Sequence, residues 1–136
     1  MSRPASAPEP PAVVVHHHPD APVAVLREVL AGAEEEGVPV EASPDPETDG
    51  AVGQAHRAAQ RSRLDVGVGV DADGSVVVHH VKLPADRPAF TEAVPDPAAP
   101  AGPEVAADRP HGRRAGAAAA RIVTGLPLPE PAGARP

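Results

Sequence analysis

The sequence predicts a small three-layer α/β domain, Rossmann-like, with a mostly parallel four-stranded sheet, one antiparallel edge strand and flanking helices. Three observations support this prediction. Short β-branched runs alternate with segments of helical periodicity, a turn sequence joins the last two runs, and the middle of the chain contains few prolines. Strands that alternate with helices favour a parallel sheet with right-handed crossovers, and the turn adds an antiparallel hairpin.

The 20 prolines indicate where the ordered part begins and ends. Four lie in residues 1–11, seven in 84–110 and four in 127–136, which leaves five for residues 12–83. Segments rich in Pro and Ala bury too little apolar surface to offset the entropy lost on ordering. The predicted organisation is a disordered lead 1–11, one α/β domain 12–93 plus 111–126, a Pro/Ala linker 94–110 and a tail 127–136.

The first strand and the first helix are predicted within residues 12–37. Ala12–Val15 is an apolar, β-branched run typical of a strand buried on both faces. Asp20 is a favourable N-cap, and Pro22 fits the first helical turn, where its missing N–H costs nothing. Gly37 provides the left-handed stop. The apolar positions that share one face of this helix are Leu26, Val29, Leu30 and Ala33.

The remaining elements follow from the same periodicities and from Gly-containing turns. The alternating glycines of LDVGVGV predict that a helix or another backbone approaches this strand closely. Asp71–Gly74 is a turn that makes the last two strands an antiparallel hairpin. Gly125 ends the last helix. The predicted elements are a strand Val38–Glu41, a turn Ser43–Pro46, a helix Thr48–Arg61, strands Leu64–Val70 and Ser75–Val81, and a helix Arg113–Thr124.

Composition and charge exclude several classes of protein. The 41% apolar content is mostly Ala and Val, with one Phe and neither Trp nor Tyr, so the core must be thin. The chain has no cysteine, which excludes disulfides, thiolate metal sites and a cysteine nucleophile. A net charge of -7 argues against binding to a phosphate backbone. No signal-peptide or membrane-spanning run is present, which leads us to expect a soluble cytoplasmic protein.

Motifs of an autonomous active site are absent from the sequence. VGVGVDADG contains glycines but lacks a GxGxxG that leads into a helix, and it has no Lys-Ser/Thr pair for phosphate. Neither G-x-S-x-G nor H-E-x-x-H occurs, so a serine hydrolase and a zincin have no support. The sequence therefore offers no candidate for an autonomous active site.

Two histidine clusters are candidates for a metal site. His16, His17 and His18 follow the first strand, at the carboxyl end where open α/β sheets bind ligands. Neighbouring side chains of an extended segment point in opposite directions, so three consecutive histidines cannot chelate one ion there. A solvated loop is the favoured interpretation for this run. His79 and His80 are expected on opposite faces of their strand, with structural roles.

The acidic run Glu34, Glu35 and Glu36 ends the first helix. Carboxylates are unfavourable there because a helix C-terminus carries partial negative charge. At 100° per residue, Glu35 points away from the apolar stripe and is free to meet a partner or a hard cation. An ordinary solvated acidic end is the alternative. One carboxylate holds Mg²⁺ poorly, so a metal site here would need ligands from another chain.

Three stretches of the chain resemble the small subunit of diol and glycerol dehydratase reactivases. They are LREVLAGAEEEGVPVE at 26–41, AAQRSRLDVGVGVDADGSVVVHHVKLP with RPAF over 58–90, and AARIVTGLPL at 119–128. The sequence departs from the family pattern at His16–Pro19, in the Pro-rich linker, and at His56, where Trp is expected. These departures bear on the interface geometry more than on the fold.

The resemblance implies the non-catalytic small subunit of an ATP-dependent chaperone with a small α/β fold. Such a subunit pairs with a large actin-like ATPase subunit and leaves it on nucleotide exchange. It then replaces the medium subunit of an adenosylcobalamin-dependent dehydratase, so that damaged cobalamin escapes. The middle glutamate of EEEG is Glu35 here, which the resemblance makes a ligand of Mg²⁺ at the interface with the large subunit. No organic cofactor of its own is implied.

Two other functions stay open at this point. One is the medium structural subunit of the dehydratase itself, although that subunit usually carries a longer N-terminal region than the ten or so residues expected before the first strand. The other is an unrelated α/β module that binds a nucleotide or metabolite, which the lack of a phosphate loop disfavours. The sequence does not distinguish glycerol from propane-1,2-diol as the substrate of the cognate enzyme. It also leaves open the stoichiometry and any association with a bacterial microcompartment.

Overall fold

The computed structural model describes residues 10–47, 49–94 and 110–129, so nearly all of the predicted lead, linker and tail lies outside the described residues. None of the helices within these ranges is long and apolar enough to cross a bilayer. The elements are β1 (Val13–His17), α1 (Val23–Glu35), β2 (Val40–Pro44), α2 (Ala51–Arg61), β3 (Val66–Val70), β4 (Val76–His80), β5 (Phe90–Glu92) and α3 (Arg113–Thr124).

The strands form one mixed sheet in the order β2-β1-β3-β4-β5. β1 pairs in parallel with β2 and β3, whereas β4 pairs antiparallel with β3 and β5. The α/β class and the β3–β4 hairpin are therefore confirmed. The prediction of four strands in a mostly parallel sheet is wrong, because a fifth strand makes half of the strand pairs antiparallel.

The unpredicted strand β5 is only three residues long, which is too short for its alternation to be recognised in the sequence. Phe90 and Glu92 are buried and Thr91 is exposed. The carboxylate of Glu92 accepts hydrogen bonds from the backbone N–H groups of Gly112 and Ala115, each at 3.0 Å. These groups lie at the start of α3, where unpaired N–H donors favour a negative charge. β5 thus positions the last helix.

The two faces of the sheet carry different helices. The valines of β3 (Val66, Val68 and Val70) belong to the larger core, which also contains apolar residues of α1 and α3. The alternate residues Gly67 and Gly69 lie under α2, and a Cβ at either position would overlap the backbone of that helix. The predicted close approach of a helix to this strand is confirmed, and the domain has three layers.

The helices α1 and α3 lie side by side and run in the same direction. A Cβ at Gly32 would overlap the backbone of Arg113, and a Cβ at Gly116 would overlap the backbone of Val29. Residues 114–120 of α3 are all buried. Most of them are alanines, whose small side chains allow α3 to dock closely. Gly125 ends it at φ 76°, as predicted.

Several predicted boundaries are corrected in the first half of the chain. α1 begins after Pro22 instead of after Asp20, and no side-chain hydrogen bond caps it within the described residues. β2 is shifted toward the carboxyl end and includes Pro44, which the sequence places in a turn. An edge strand tolerates proline there, because the next residue, Asp45, donates the hydrogen bond to His17 at 2.8 Å.

The starts of α2 and β3 lie further along the chain than predicted. Gly50 has φ 100° and therefore stands outside α2, which starts at Ala51. Asp65 has φ 65° and delays the start of β3 to Val66. Both corrections come from backbone conformations in the left-handed region, which strand and helix interiors exclude.

The contact between β3 and α2 gives a stability prediction. Gly67→Ala should lower the free energy of unfolding by about 3 kcal/mol. The new methyl group would meet only backbone atoms of α2, which cannot move aside as a flexible side chain can. Gly37→Ala is the matched control, since its Cβ has open space and only the positive φ costs about 1 kcal/mol. Urea unfolding of both variants measures the difference. Equal losses would contradict the close contact.

Candidate functional site

The acidic end of α1 is as exposed as the sequence predicts. Glu34 and Glu35 are exposed, and the side chain of Glu35 retains 56% of its accessible surface. Glu36 follows as the C-cap residue and is partly buried. The last turn of α1 contains no basic residue of its own that would offset the carboxylates. The compensating charge has to come from another element.

That charge is provided by two arginines of α3. Nη1 of Arg113 donates a hydrogen bond of 2.7 Å to Oε2 of Glu35. Nη2 of Arg121 lies 3.2 Å from Oε2 of Glu36. The parallel alignment of α1 and α3 places these cations beside the negative end of α1. We call Glu28, Glu35, Glu36, Arg113 and Arg121 the helix-end cluster.

Arg113 also contacts a second carboxylate, Glu28, which lies two turns earlier on the same face of α1. Its Nε and Nη2 lie 2.8 and 2.7 Å from the same oxygen, Oε1 of Glu28. The hydrogen bonds that Arg113 donates to Glu28 and, to a smaller extent, to Glu35 raise the pKa of its guanidinium above the ordinary value. Arg113 therefore bridges the two glutamates and is held more fully by Glu28.

The helix-end cluster fits one part of a magnesium site. Carboxylate oxygens are suitable ligands for Mg²⁺, and Glu35 presents one to solvent. The described residues contain no group of three or more His, Asp or Glu side chains placed to hold a metal. The remaining ligands would therefore come from water, nucleotide or another chain. The role of Glu35 in binding Mg²⁺ stays a prediction.

Exposed apolar side chains lie close to the same end of the helix pair. Leu126 and Leu128 retain 54% and 40% of their surface. The backbone N–H of Leu126 donates to the carbonyl of Arg121 at 3.0 Å, which holds this segment against the end of α3. An apolar patch beside charged groups is typical of a surface that meets another protein.

A second polar cluster lies at the carboxyl ends of β1 and β2. Arg57 of α2 donates to Asp45 through Nε and Nη2, at 3.1 and 2.9 Å. It also donates two bonds of 2.8 Å to Asp49. Nδ1 of His16 lies 3.3 Å from Oδ2 of Asp45. These contacts fasten the chain between β2 and α2 to the helix.

The charges of this second cluster are matched internally. Burial by itself raises the pKa of Asp45, but the backbone N–H of Glu47 and the guanidinium of Arg57 together hold it below its usual value. Hydrogen bonds from Arg57 lower the pKa of Asp49 as well. Burial lowers the pKa of His16, and the nearby Asp45 only partly opposes this shift. The cluster is thus a structural ion-pair network.

An open groove of about 710 Å³ runs along the α2 side of β1 and β2. It exists because α2 packs on β1, β3 and β4 and leaves this side of β2 exposed. Glu41 and Arg61 bring opposite charges to it, and Arg57 at its end is paired with two aspartates. Ser43 and His16 are partners in the pairing of β2 with β1, but no hydrogen bond joins the Ser43 hydroxyl to a base among the described residues. The groove is lined by Val14, His16, Glu41, Ala42, Ser43 and Arg61.

The predicted loop at His16–His18 is wrong for its first two residues. His16 and His17 belong to β1, where they pair with Ser43 and Pro44 of β2. His16 is buried, and Nδ1 of His17 lies 3.0 Å from the carbonyl of His18. Because His16 and His17 are neighbours in a strand, their side chains point to opposite faces of the sheet. The two rings therefore cannot chelate one ion together.

The structural role predicted for the second histidine pair is confirmed. His79 is fully buried on the α2 side, and its ring meets that of His56 edge-on, with centroids 5.0 Å apart. Its Nδ1 accepts from the backbone N–H of His80 at 3.0 Å, and Nε2 lies 3.0 Å from the carbonyl of Ala85. His80 lies on the other face of the strand and is partly buried.

Comparison with known proteins places the whole described domain in one family. The family model for the dehydratase medium subunit matches residues 10–129. The chain belongs to the dehydratase medium subunit family. The propanediol dehydratase-reactivating factor small subunit of Salmonella typhimurium is 37% identical over 118 residues, which cover 87% of this chain and 90% of that protein.

Two solved structures share the fold of this family member. A glycerol dehydratase reactivase superposes with a TM-score of 0.74 at 30% identity, covering 89% of this chain and 98% of the other. A diol dehydratase-reactivating factor complexed with ADP and Mg²⁺ gives a TM-score of 0.70 at 32% identity, covering 90% and 100%. The resemblance to the small subunits of dehydratase reactivases, inferred from the sequence, is confirmed.

In this member of the dehydratase medium subunit family, Glu35 is the residue that the sequence predicts as a metal ligand. Its side chain lies at the surface. Its partner Arg113 was missed, and so was the pairing of Arg121 with Glu36. Of the three arginines of the last helix, only Arg121 lies in the motif AAR-x-V-x-G-x-P, and nothing in a linear sequence aligns that helix with α1.

The buried His16 predicts a pH dependence of stability. Its pKa in the folded chain lies below the value of 6.5 for a free histidine, so the unfolded chain takes up the proton first as the pH falls. The stability that the neutral His16 contributes is fully present above pH 6.5. It is lost as the pH falls below 6.5 and passes the pKa of His16 in the folded chain. Asp45 and Asp49 act separately, in the more acidic range below 3.8.

We therefore expect the urea midpoint of the wild-type domain to fall between pH 7.5 and pH 5.5, and to fall less in His16→Gln. Urea titrations at the two pH values measure this difference. An equal fall in both proteins would show that His16 is not the titrating group.

Proposed function

We propose that this chain is the small subunit of a dehydratase-reactivating factor. The observation that carries the proposal is the match to reactivating factors over nearly their whole length, at 37% identity to a curated small subunit and 98–100% coverage of the two solved chains. A medium structural subunit of the dehydratase is the second candidate, and these relatives do not favour it.

The mechanism we propose is subunit exchange. The family model describes medium subunits of the dehydratase, whereas the similar proteins are small subunits of reactivating factors. One fold thus serves in both kinds of assembly. A chain with this fold would replace the medium subunit of an adenosylcobalamin-dependent diol or glycerol dehydratase, and the altered enzyme would release its damaged cobalamin.

In this proposal the energy of exchange comes from a partner. A large actin-like ATPase subunit would bind and hydrolyse ATP, and this chain would leave it on nucleotide exchange. The described part of this chain offers no glycine-rich phosphate loop that leads into a helix, because both glycines of VGVGV pack under α2. The cytoplasmic location expected from the sequence belongs to the same proposal.

The helix-end cluster is the proposed contact with the large subunit. Glu35 would supply one carboxylate oxygen to a Mg²⁺ ion whose other ligands come from the partner and from water. The neighbouring Leu126 and Leu128 would be buried in the same contact, because an interface combines an apolar centre with a polar rim. The solved diol dehydratase-reactivating factor contains Mg²⁺, which supports a metal in this type of complex.

Co-purification from the native host tests the proposed exchange. The tagged chain is isolated without nucleotide and with ATP, and the bound proteins are identified. We expect a large ATPase subunit without nucleotide and dehydratase subunits when ATP is present. Dehydratase subunits under both conditions, with no ATPase, would make this chain a structural subunit of the enzyme.

Substitution of Glu35 tests the metal contact. Glu35→Gln removes the anionic ligand, so Mg²⁺-dependent association with the large subunit should weaken by about tenfold, on the order of 1.4 kcal/mol. The melting temperature should change little, because the side chain is exposed. Calorimetric titration of the two purified subunits at several Mg²⁺ concentrations measures the association.

Glu34→Gln is the matched control for this experiment. Glu34 is also exposed and adjoins Glu35, but it is not the middle glutamate of EEEG. Its substitution removes the same charge and should leave the Mg²⁺ dependence close to that of the wild type. An equal effect of both substitutions would reduce the role of Glu35 to general electrostatics, and no effect of either would remove it.

A further inference from the structure

We propose that Arg113 competes with the interface cation for the carboxylate of Glu35, and that Glu28 holds Arg113 in place when the cation binds. This inference rests on the proposed function, since it concerns the regulation of the same carboxylate. Arg113 would act as an intramolecular substitute for the metal. It would neutralise Glu35 in the free subunit and release it in the complex.

The geometry of Arg113 is asymmetric in a way that suits this role. Two of its nitrogens contact Oε1 of Glu28, at 2.8 and 2.7 Å, whereas a single nitrogen contacts Oε2 of Glu35, at 2.7 Å. Loss of the bond to Glu35 therefore leaves Arg113 with a charged partner. The side chain of Glu28 retains 23% of its surface against 56% for Glu35, so the pair that persists is the better shielded one.

Nη1 of Arg113 contacts only Oε2 of Glu35, so the other oxygen, Oε1, is open to a cation. The guanidinium is always charged and cannot reduce its charge by losing a proton. Two positive groups on one carboxylate repel each other, so binding of Mg²⁺ at Oε1 favours withdrawal of Arg113 toward Glu28. Exposed ion pairs are weak, which makes this exchange easily reversible.

Two substitutions break the ion pair between Arg113 and Glu28. Competition predicts that they change the Mg²⁺ concentration needed for association in opposite directions. Arg113→Gln removes the competitor, so less Mg²⁺ should be needed for association with the large subunit. Glu28→Gln removes the residue that holds Arg113 away, so more Mg²⁺ should be needed. We expect shifts of about two- to fivefold in each direction. A role limited to joining α1 and α3 would move both variants in the same direction.

The test is a double-mutant cycle on the full chain together with the large subunit. The Mg²⁺ concentration at half-maximal association is measured for the wild type, Arg113→Gln, Glu28→Gln and the double variant. If Glu28 acts through Arg113, its effect disappears in the Arg113→Gln background. An undiminished effect would show that Glu28 acts by its charge alone, and it would overturn the proposal.

Controls separate this proposal from the one on which it rests. Circular dichroism establishes that each variant is folded, and Arg113→Lys replaces Arg113→Gln if the latter does not fold, with a smaller shift in the same direction. Loss of Mg²⁺ dependence in Glu35→Gln, with unchanged midpoints in the Arg113 and Glu28 variants, would overturn the competition alone. Unchanged Mg²⁺ dependence in Glu35→Gln would overturn the metal role of Glu35, and the competition with it.

Discussion

Close approach between backbones is the constraint on which the rest of this domain depends. A core built from valine and alanine has no large side chains to fill space, so attraction between layers requires short distances. Glycines make these distances possible at two places. Gly67 and Gly69 admit α2 to the sheet, and Gly32 and Gly116 admit α3 to α1. A larger side chain at any of these points would push α2 away from the sheet or α3 away from α1.

The close pairing of α1 with α3 also determines the chemistry of the exposed end. The negative ends of two parallel helices lie together there, and Glu34–Glu36 add further negative charge. Arg113 and Arg121 offset this charge from the side of α3. The helix-end cluster has three glutamates and two arginines, so it keeps an excess of negative charge that solvent and partners can reach. Such a cluster responds to an added cation, whereas a fully buried ion pair does not.

Elements with strong local patterns could be predicted from the sequence. Strand residues that are extended only because they hydrogen-bond to a neighbouring strand were missed. The bounds of α3 were predicted correctly because Gly125 marks its end, and β3 was recognised from its alternating glycines. His16 and His17 resemble a polar loop, yet hydrogen bonding between β1 and both neighbouring strands keeps them extended. The exposure of Glu35 followed from helix geometry. Its contact with Arg113 spans 78 residues, and no local pattern contains it.

The carboxylate of Glu92 has a consequence for how this chain can vary among relatives. It ties the end of β5 to the first turn of α3 through two buried hydrogen bonds. These bonds join β5 directly to α3. The position of α3 therefore does not depend on the length of the chain between Glu92 and Gly112. The linker predicted from the sequence over 94–110 would therefore tolerate changes in length, because the entropy of closing a loop grows only slowly with length. Length changes should accumulate in this part of the gene before they reach the helix that follows.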